Sequence, residues 1–326
     1  MLRAAIYGLG RWGNTLVESV KDSEKFRFVK GISRNPENHK EFSQKTGIKV
    51  LSSYGRVLKD PEIDAVVLAT PHSLHLKQIA QAAKAGKHVF VEKPMTLTRK
   101  SAEKAVEACR AGGVTFCVGY NRRYAPAFVE MMRRIRAGEI GDVLHVEGAH
   151  SGATGYRLGG QSAWRSTREE APGGGMAARG IHTLDSMIQI AGLVTSVYAF
   201  SDKRELPPEI TMDDTTSMLL KFSSGATGCL STIFVTGELW RVHVFGSKGW
   251  LESRGDTDLT FHGLEGGPNK IPLEKVSKEK AELEAFADAV AARQPFVVPA
   301  EEAVNAVAVL EAIVTSAAKG KPVQIK

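Results

Sequence analysis

The sequence predicts an α/β protein of two domains, the first built on a doubly wound parallel sheet. Three observations carry this. Short apolar runs alternate with helix-period segments from the start of the chain to about residue 120. The first of these runs ends in a glycine-rich turn. The chain has 326 residues, more than one core usually supports.

The first run, Ala4–Tyr7, enters Gly8-Leu9-Gly10-Arg11-Trp12-Gly13, a G-x-G-x-x-G that opens a helix. In this position the motif reads as a dinucleotide fingerprint. Gly8 permits the tight turn, Gly10 lets the backbone approach a pyrophosphate, and Gly13 lets helix and strand pack closely. The free N–H groups and dipole of the helix then hold the phosphates. The second run, Phe26–Ser33, ends at Ser33-Arg34, where an NAD-selective site usually has a carboxylate for the ribose diol. A hydroxyl and a guanidinium instead suit a 2′-phosphate, so the pair predicts NADP(H) over NAD(H), with NAD(H) left open.

The run Ala65–Ala69 ends in Thr70-Pro71-His72. A helix follows, with Leu76, Ile79, Ala80 and Ala83 at core spacing and Gly86 as its stop. The run Val89–Val91 ends in Glu92-Lys93-Pro94; the next helix places Ala102, Ala105, Val106 and Cys109 inward and stops at Gly112-Gly113. The run Thr115–Val118 leads to Tyr120-Asn121-Arg122. Ligands of open α/β sheets sit beyond the carboxyl ends of the strands, so these tips are expected to ring one crevice. A Lys at such a tip, presented by the rigid Pro94, is placed to exchange a proton with a substrate hydroxyl or carbonyl.

After Arg123 the pattern changes. A helix with Phe128, Met131, Met132 and Ile135 precedes strands such as "VLHVEGAH" and "WRVHVFGSKGWLES", which alternate apolar and polar residues. The boundary is therefore expected at 1–122 and 123–326. Between the strands, His182 begins a helix with Leu184, Met187, Ile188 and Ala191 at core positions. Two amphipathic helices close the chain, one carrying Leu283, Phe286, Ala287 and Val290.

The segment "ATPHSLHLKQIAQAAKAGKHVFVEKPMTLT" resembles the Gfo/Idh/MocA family of glucose–fructose oxidoreductase, inositol 2-dehydrogenase and rhizopine-catabolism proteins. The likeness extends through "GYNRRYAPAF", "PGGGMAARGIHTLD" and the last helices. It implies a Rossmann domain plus an α/β domain on a large, mainly antiparallel open sheet. It also implies hydride transfer between NAD(P) and a sugar, polyol or related compound, in a homodimer or homotetramer. Lys93 would lie by the nicotinamide and the reacting oxygen, Glu92 by the cofactor ribose, and the Lys93–Pro94 peptide is often cis. Thr70, Pro71, His72, His75 and Asn121 fall with the cofactor, and His182 matches a catalytic His. The Asp usual four residues before that His is Ala178 here, which puts a two-residue proton relay in doubt.

Arg179 shares a face with His182, either as a site for a substrate carboxylate or phosphate or as a solvated arginine. Tyr120, Arg122, Tyr156, Trp164, Arg165 and Asp185 are further candidates at the substrate. Two other readings remain: a glycoside hydrolase that keeps its cofactor, and a sensor that binds nucleotide and ligand without catalysis.

Other classes are disfavoured. His72 and His75 form an H-x-x-H without a third ligand at metal spacing, so no metal is expected. The three cysteines, Cys109, Cys117 and Cys229, are far apart and suit a reducing compartment. The net charge of +7 is spread, its densest cluster being Arg133-Arg134-Arg136 on a helix, which argues against nucleic acid. No apolar run is long enough for a bilayer, and the N-terminus lacks a signal-peptide pattern, so a cytoplasmic enzyme without membrane contact is expected.

Overall fold

The structure is a computed structural model that describes residues 1–325, with the side chains of 160–162 outside the description. The chain forms two compact units. The first comprises Met1–Thr96, Lys100–Tyr120 and Ser277–Ala300; the second comprises Leu97–Arg99, Asn121–Val276 and Glu301–Lys326.

In the first unit the order is β1 (Leu2–Tyr7), α1 (Arg11–Ser19), β2 (Phe26–Ile32), α2 (Lys40–Thr46), β3 (Lys49–Leu51), α3 (Tyr54–Leu58), β4 (Ala65–Leu68), α4 (His75–Lys84), β5 (His88–Glu92), α5 (Arg99–Ala111) and β6 (Phe116–Gly119). The strands form one parallel sheet in the order β3-β2-β1-β4-β5-β6. The order reverses beside β1, which makes the tips of β1 and β4 the switch point where such sheets bind ligands. β4 is buried along its whole length, as a strand covered on both faces must be. β3 has no counterpart in the sequence reading: three residues at a sheet edge, none of them buried, leave no periodic signal.

The α4 face also differs from expectation. Gln78 and Ala82 are buried with Ile79 and Ala83, while Leu76 and Ala80 are only partly covered. Gln78 tolerates burial because its Oε1 accepts a 2.6 Å hydrogen bond from the Thr70 hydroxyl.

The second unit adds α6 (Pro126–Arg136), β7 (Val143–Ser151), a π-helical turn at Met176–Gly180, α7 (Ile181–Ala191), β8 (Val194–Asp202), β9 (Thr215–Phe222), β10 (Thr227–Ile233), β11 (Leu239–Gly246), β12 (Gly249–Arg254), β13 (Asp258–Gly263) and β14 (Asn269–Ile271). Then α8 (Lys278–Ala292) belongs to the first unit, where Phe286 meets Phe26 and Phe90 at 6.4 and 5.7 Å between ring centroids. Those three rings are fully buried, each contributing roughly 1.5–3 kcal/mol of transfer free energy. α9 (Ala300–Lys319) and β15 (Val323–Gln324) complete the second unit.

Its nine strands run β14-β13-β12-β11-β7-β10-β9-β8-β15, all antiparallel except β7 with β10. β9 alternates buried and exposed residues, so one sheet face is covered and the other open. α7 lies tightly on the covered face: a Cβ at Gly148 of β7 would come within 2.5 Å of the Thr183 side chain. Two arginines of the α6 basic cluster, Arg133 and Arg134, are paired to Glu130 and Glu139. No helix among the described residues is long and apolar enough to cross a membrane.

Candidate active site

The glycine turn sits at the switch point of the first unit. Gly8 has φ of +111°, and a Cβ there would lie 2.3 Å from the Ala69 carbonyl oxygen, so the tips of β1 and β4 meet only over glycine. A Cβ at Gly13 would lie 2.0 Å from the Gly8 oxygen, which fixes the close start of α1. Gly10 is the N-cap of α1; no side chain caps the helix and its first turn has no acidic residue. Arg11 is exposed and Trp12 half-buried, its indole Nε1 enclosed with no hydrogen-bond partner among the described residues. An uncapped helix start, a cationic first residue and an enclosed donor fit a dinucleotide pyrophosphate. At the neighbouring tip of β2, Ser33 is half-buried and Arg34 exposed, and the Ser33 hydroxyl accepts from the Asn35 N–H at 3.2 Å.

The tips of β4 and β5 are braced together. Thr70, His72 and Glu92 are buried, Pro71 and Lys93 half-buried, and the Lys93–Pro94 peptide is cis. His75 is completely enclosed. Its ring nitrogens lie 3.0 Å from the Thr70 carbonyl oxygen and 3.2 Å from that of Pro94. The ring therefore ties the loop after β4 to the loop that carries Lys93. This gives His75 a bracing place inside the unit. Glu92 faces Gly119 across β5 and β6, and a Cβ at Gly119 would come within 2.9 Å of the Glu92 carboxylate. Tyr120, at the end of this unit, is fully buried.

In the second unit Asn121 is buried at the start of a short helical turn. Arg122 donates to Asp256 at 2.7 Å and stacks its guanidinium 4.2 Å over the Trp240 ring. Trp240 lies 6.1 Å from the His150 ring, and His150 lies 6.2 Å from the His182 ring. His182, His150, Trp240 and Arg122 thus form a continuous polar and aromatic wall. His150 and Trp240 escape a sequence reading because each sits in an ordinary alternating strand; only the β7–β11 register, which pairs them, puts them beside α7.

The remaining candidates have structural partners. Arg179 spends all five donors on Thr154 Oγ1, the Ser151 carbonyl and the Glu238 carboxylate, at 2.6 to 3.0 Å. Its hydrogen bonds hold the Glu238 carboxyl below the usual carboxylate value. Arg179 is therefore a partly exposed arginine whose donors are taken up by partners within the second unit. Asp185 is 1% exposed and held by a two-pronged Arg123 contact at 2.6 and 2.9 Å, within α7 rather than facing a crevice. Arg123 also reaches Glu302. Tyr156 is exposed and donates to the Val235 carbonyl at 3.2 Å; Arg165 stacks on its neighbour Trp164 at 4.0 Å. Ala178 packs against an apolar cluster of Ala171, Ala177, Leu206, Ile210, Met212 and Phe234.

Comparison with known proteins gives the family. Residues 2–120 match the model of the oxidoreductase family with an NAD-binding Rossmann fold, and residues 128–252 match the Gfo/Idh/MocA C-terminal domain. The chain is 29% identical to the uncharacterized oxidoreductase YrbE of Bacillus subtilis, over 98% of this chain and 96% of that protein. It is 38% identical to scyllo-inositol 2-dehydrogenase (NAD(+)) of the same organism, over 45% of this chain and 44% of that protein. That second match therefore spans less than half of either protein. Among solved structures it is similar to the aldose-aldose oxidoreductase of Caulobacter crescentus, with a TM-score of 0.90 and 27% identity over 99% of both chains. The chain belongs to the Gfo/Idh/MocA family of NAD-binding oxidoreductases.

Proposed function

We propose that the chain transfers a hydride between NADP(H) and a hydroxyl- or carbonyl-bearing carbon of a sugar, polyol or related compound, with Lys93 giving or taking the proton at the reacting oxygen. The observation that carries this is the tip of β5: a half-buried lysine, its loop clamped by His75, at the same sheet end as the uncapped glycine turn. A bound nicotinamide supplies the hydride chemistry. The Gly8–Gly13 turn and the start of α1 hold the pyrophosphate, and Ser33 and Arg34 favour the 2′-phosphate. Thr70, Pro71, His72, Glu92 and Asn121 line the cofactor. His182 is the second proton-handling group, with His150 as its neighbour in place of the missing carboxylate. The names of the Bacillus inositol dehydrogenase and the Caulobacter aldose oxidoreductase support the substrate class. Phe200 and Leu219, each 61% exposed on the open sheet face, support pairing with a second copy as a homodimer or homotetramer.

The test is a hydride-transfer screen of oxidised and reduced NAD and NADP against sugars, inositols and sugar acids, followed at the nicotinamide absorbance. Turnover with a polyol or keto-sugar, faster with the phosphorylated cofactor, is expected. Tight cofactor binding without hydride transfer to any compound would replace this reading by the sensor that Ala178 invites. Release of an aglycone without net change in cofactor would replace it by glycoside cleavage.

A further inference from the structure

The open face of the second unit carries a cluster that the redox chemistry does not use. His145 and Glu147 are two apart on β7 and so project from one face. Cys229 of β10 lies directly opposite Glu147 in the parallel register. The ligand atoms of these three residues all lie within 4.8 Å of one another, and all three side chains are half-buried. On the other side of Glu147, β11 presents His243, whose Nδ1 is 3.8 Å from the Glu147 carboxylate and 3.2 Å from the Arg241 guanidinium, which occupies it.

We infer that His145, Glu147 and Cys229 form a site for a divalent transition-metal cation of the Zn2+ type, with water as a fourth ligand. The donor set argues for this class. One imidazole nitrogen, one carboxylate oxygen and one sulfur suit a borderline-soft, tetrahedral ion and neutralise its two charges. The Cys229 thiol gives up its proton to solvent as the metal–sulfur bond forms; no electron is transferred. The His145 ring is already held by a 2.8 Å hydrogen bond between its Nδ1 and the Thr227 hydroxyl, the kind of outer contact that orients a ligating ring. Arg241 approaches Glu147 at 3.6 Å, an ion pair longer than a hydrogen bond, which a bound cation would displace. A bound ion would cross-link the central strands β7 and β10, the one parallel pair of this sheet. The H-x-x-H of His72 and His75, the metal-like spacing visible in the sequence, is not this site. The cluster exists only through strand register, which is why spacing along the chain does not reveal it.

The test uses tag-free, chelator-stripped full chain titrated with Co2+, read by visible absorption for thiolate-to-cobalt charge transfer, with Zn2+ as competitor. One ion per chain, with a thiolate band that Zn2+ removes, is expected. Cys229→Ser should abolish the band. Thr227→Val should weaken binding about 10–100-fold by loosening the His145 ring. Glu147→Gln, which keeps the side-chain shape, should weaken it at least as much. Circular dichroism checks that each variant folds. A band that persists in Cys229→Ser would assign the thiolate to Cys109 or Cys117 and overturn the site. So would the absence of saturable one-to-one binding in the unmodified chain. Neither result bears on Lys93, so failure here leaves the proposed reaction standing.

Discussion

His75 offers a sharp test of how the candidate site is held. Replacement by alanine removes a fully buried ring whose nitrogens face two carbonyl oxygens, at 3.0 Å on Thr70 and 3.2 Å on Pro94. A neutral imidazole donates to only one of them at a time, so at least one buried hydrogen bond is lost outright. Leaving a buried acceptor unsatisfied costs about 1–3 kcal/mol. Truncating a packed ring adds a cavity, and together the loss should be about 3–5 kcal/mol. Urea unfolding followed by circular dichroism would show this as a midpoint lowered by about 1 M or more, at a slope near 3 kcal/mol/M. The same variant should lose turnover, because the loop carrying Lys93 is no longer tied to the loop after β4. If His75→Ala moved the midpoint little and instead weakened cofactor binding alone, the bracing role would be wrong. His75 would then be a cofactor contact.

Three further outcomes follow from the same geometry. Arg179→Ala should destabilise the second unit by about 1–2 kcal/mol, since its partners are Thr154, Ser151 and Glu238; turnover of acidic and neutral sugars should fall equally, and a selective loss on acids would contradict the structural assignment. For Asp214, burial pushes the carboxyl up, but the N–H groups of Glu205, Leu206 and Arg204 and the Thr215 hydroxyl outweigh it and leave it below the ordinary range. Its contribution is thus fully present above the ordinary aspartate value and is lost as pH falls through the lower folded value; Asp214→Asn should remove about 2 kcal/mol at neutral pH and flatten the acid limb of a stability–pH curve. Arg34→Ala should cut kcat/KM for NADP(H) about 10–100-fold and leave NAD(H) nearly unchanged, as expected for one lost charge-assisted contact.

The parallel sheet is legible in the chain because buried strands are continuous apolar runs and each ends at a chemically distinctive tip. The glycine fingerprint, Ser33-Arg34 and Glu92-Lys93-Pro94 are all local patterns of this kind. The α7 core positions Leu184, Met187, Ile188 and Ala191 are all buried, as their spacing predicts. What spacing does not carry is register and partner choice. Gln78 is inside because Thr70 bonds it, and β3 is too short to leave a period. Asp185 is inside because Arg123, distant in the chain, satisfies it. His150, Trp240 and the His145–Glu147–Cys229 cluster arise only when strands far apart in sequence lie side by side. The sequence separates Arg179 from its acceptors, so neither Glu238 nor Thr154 is visible as its partner along the chain.

The most direct test of the reaction is Lys93→Met, which keeps the length and apolar stem of the side chain and removes the amine. Cofactor affinity, followed by fluorescence of the reduced nicotinamide, should change little. Turnover of whichever sugar or polyol the screen selects should fall about 100-fold or more, the usual contribution of a positioned general acid or base. Unchanged turnover in a folded, cofactor-binding Lys93→Met protein would contradict the account.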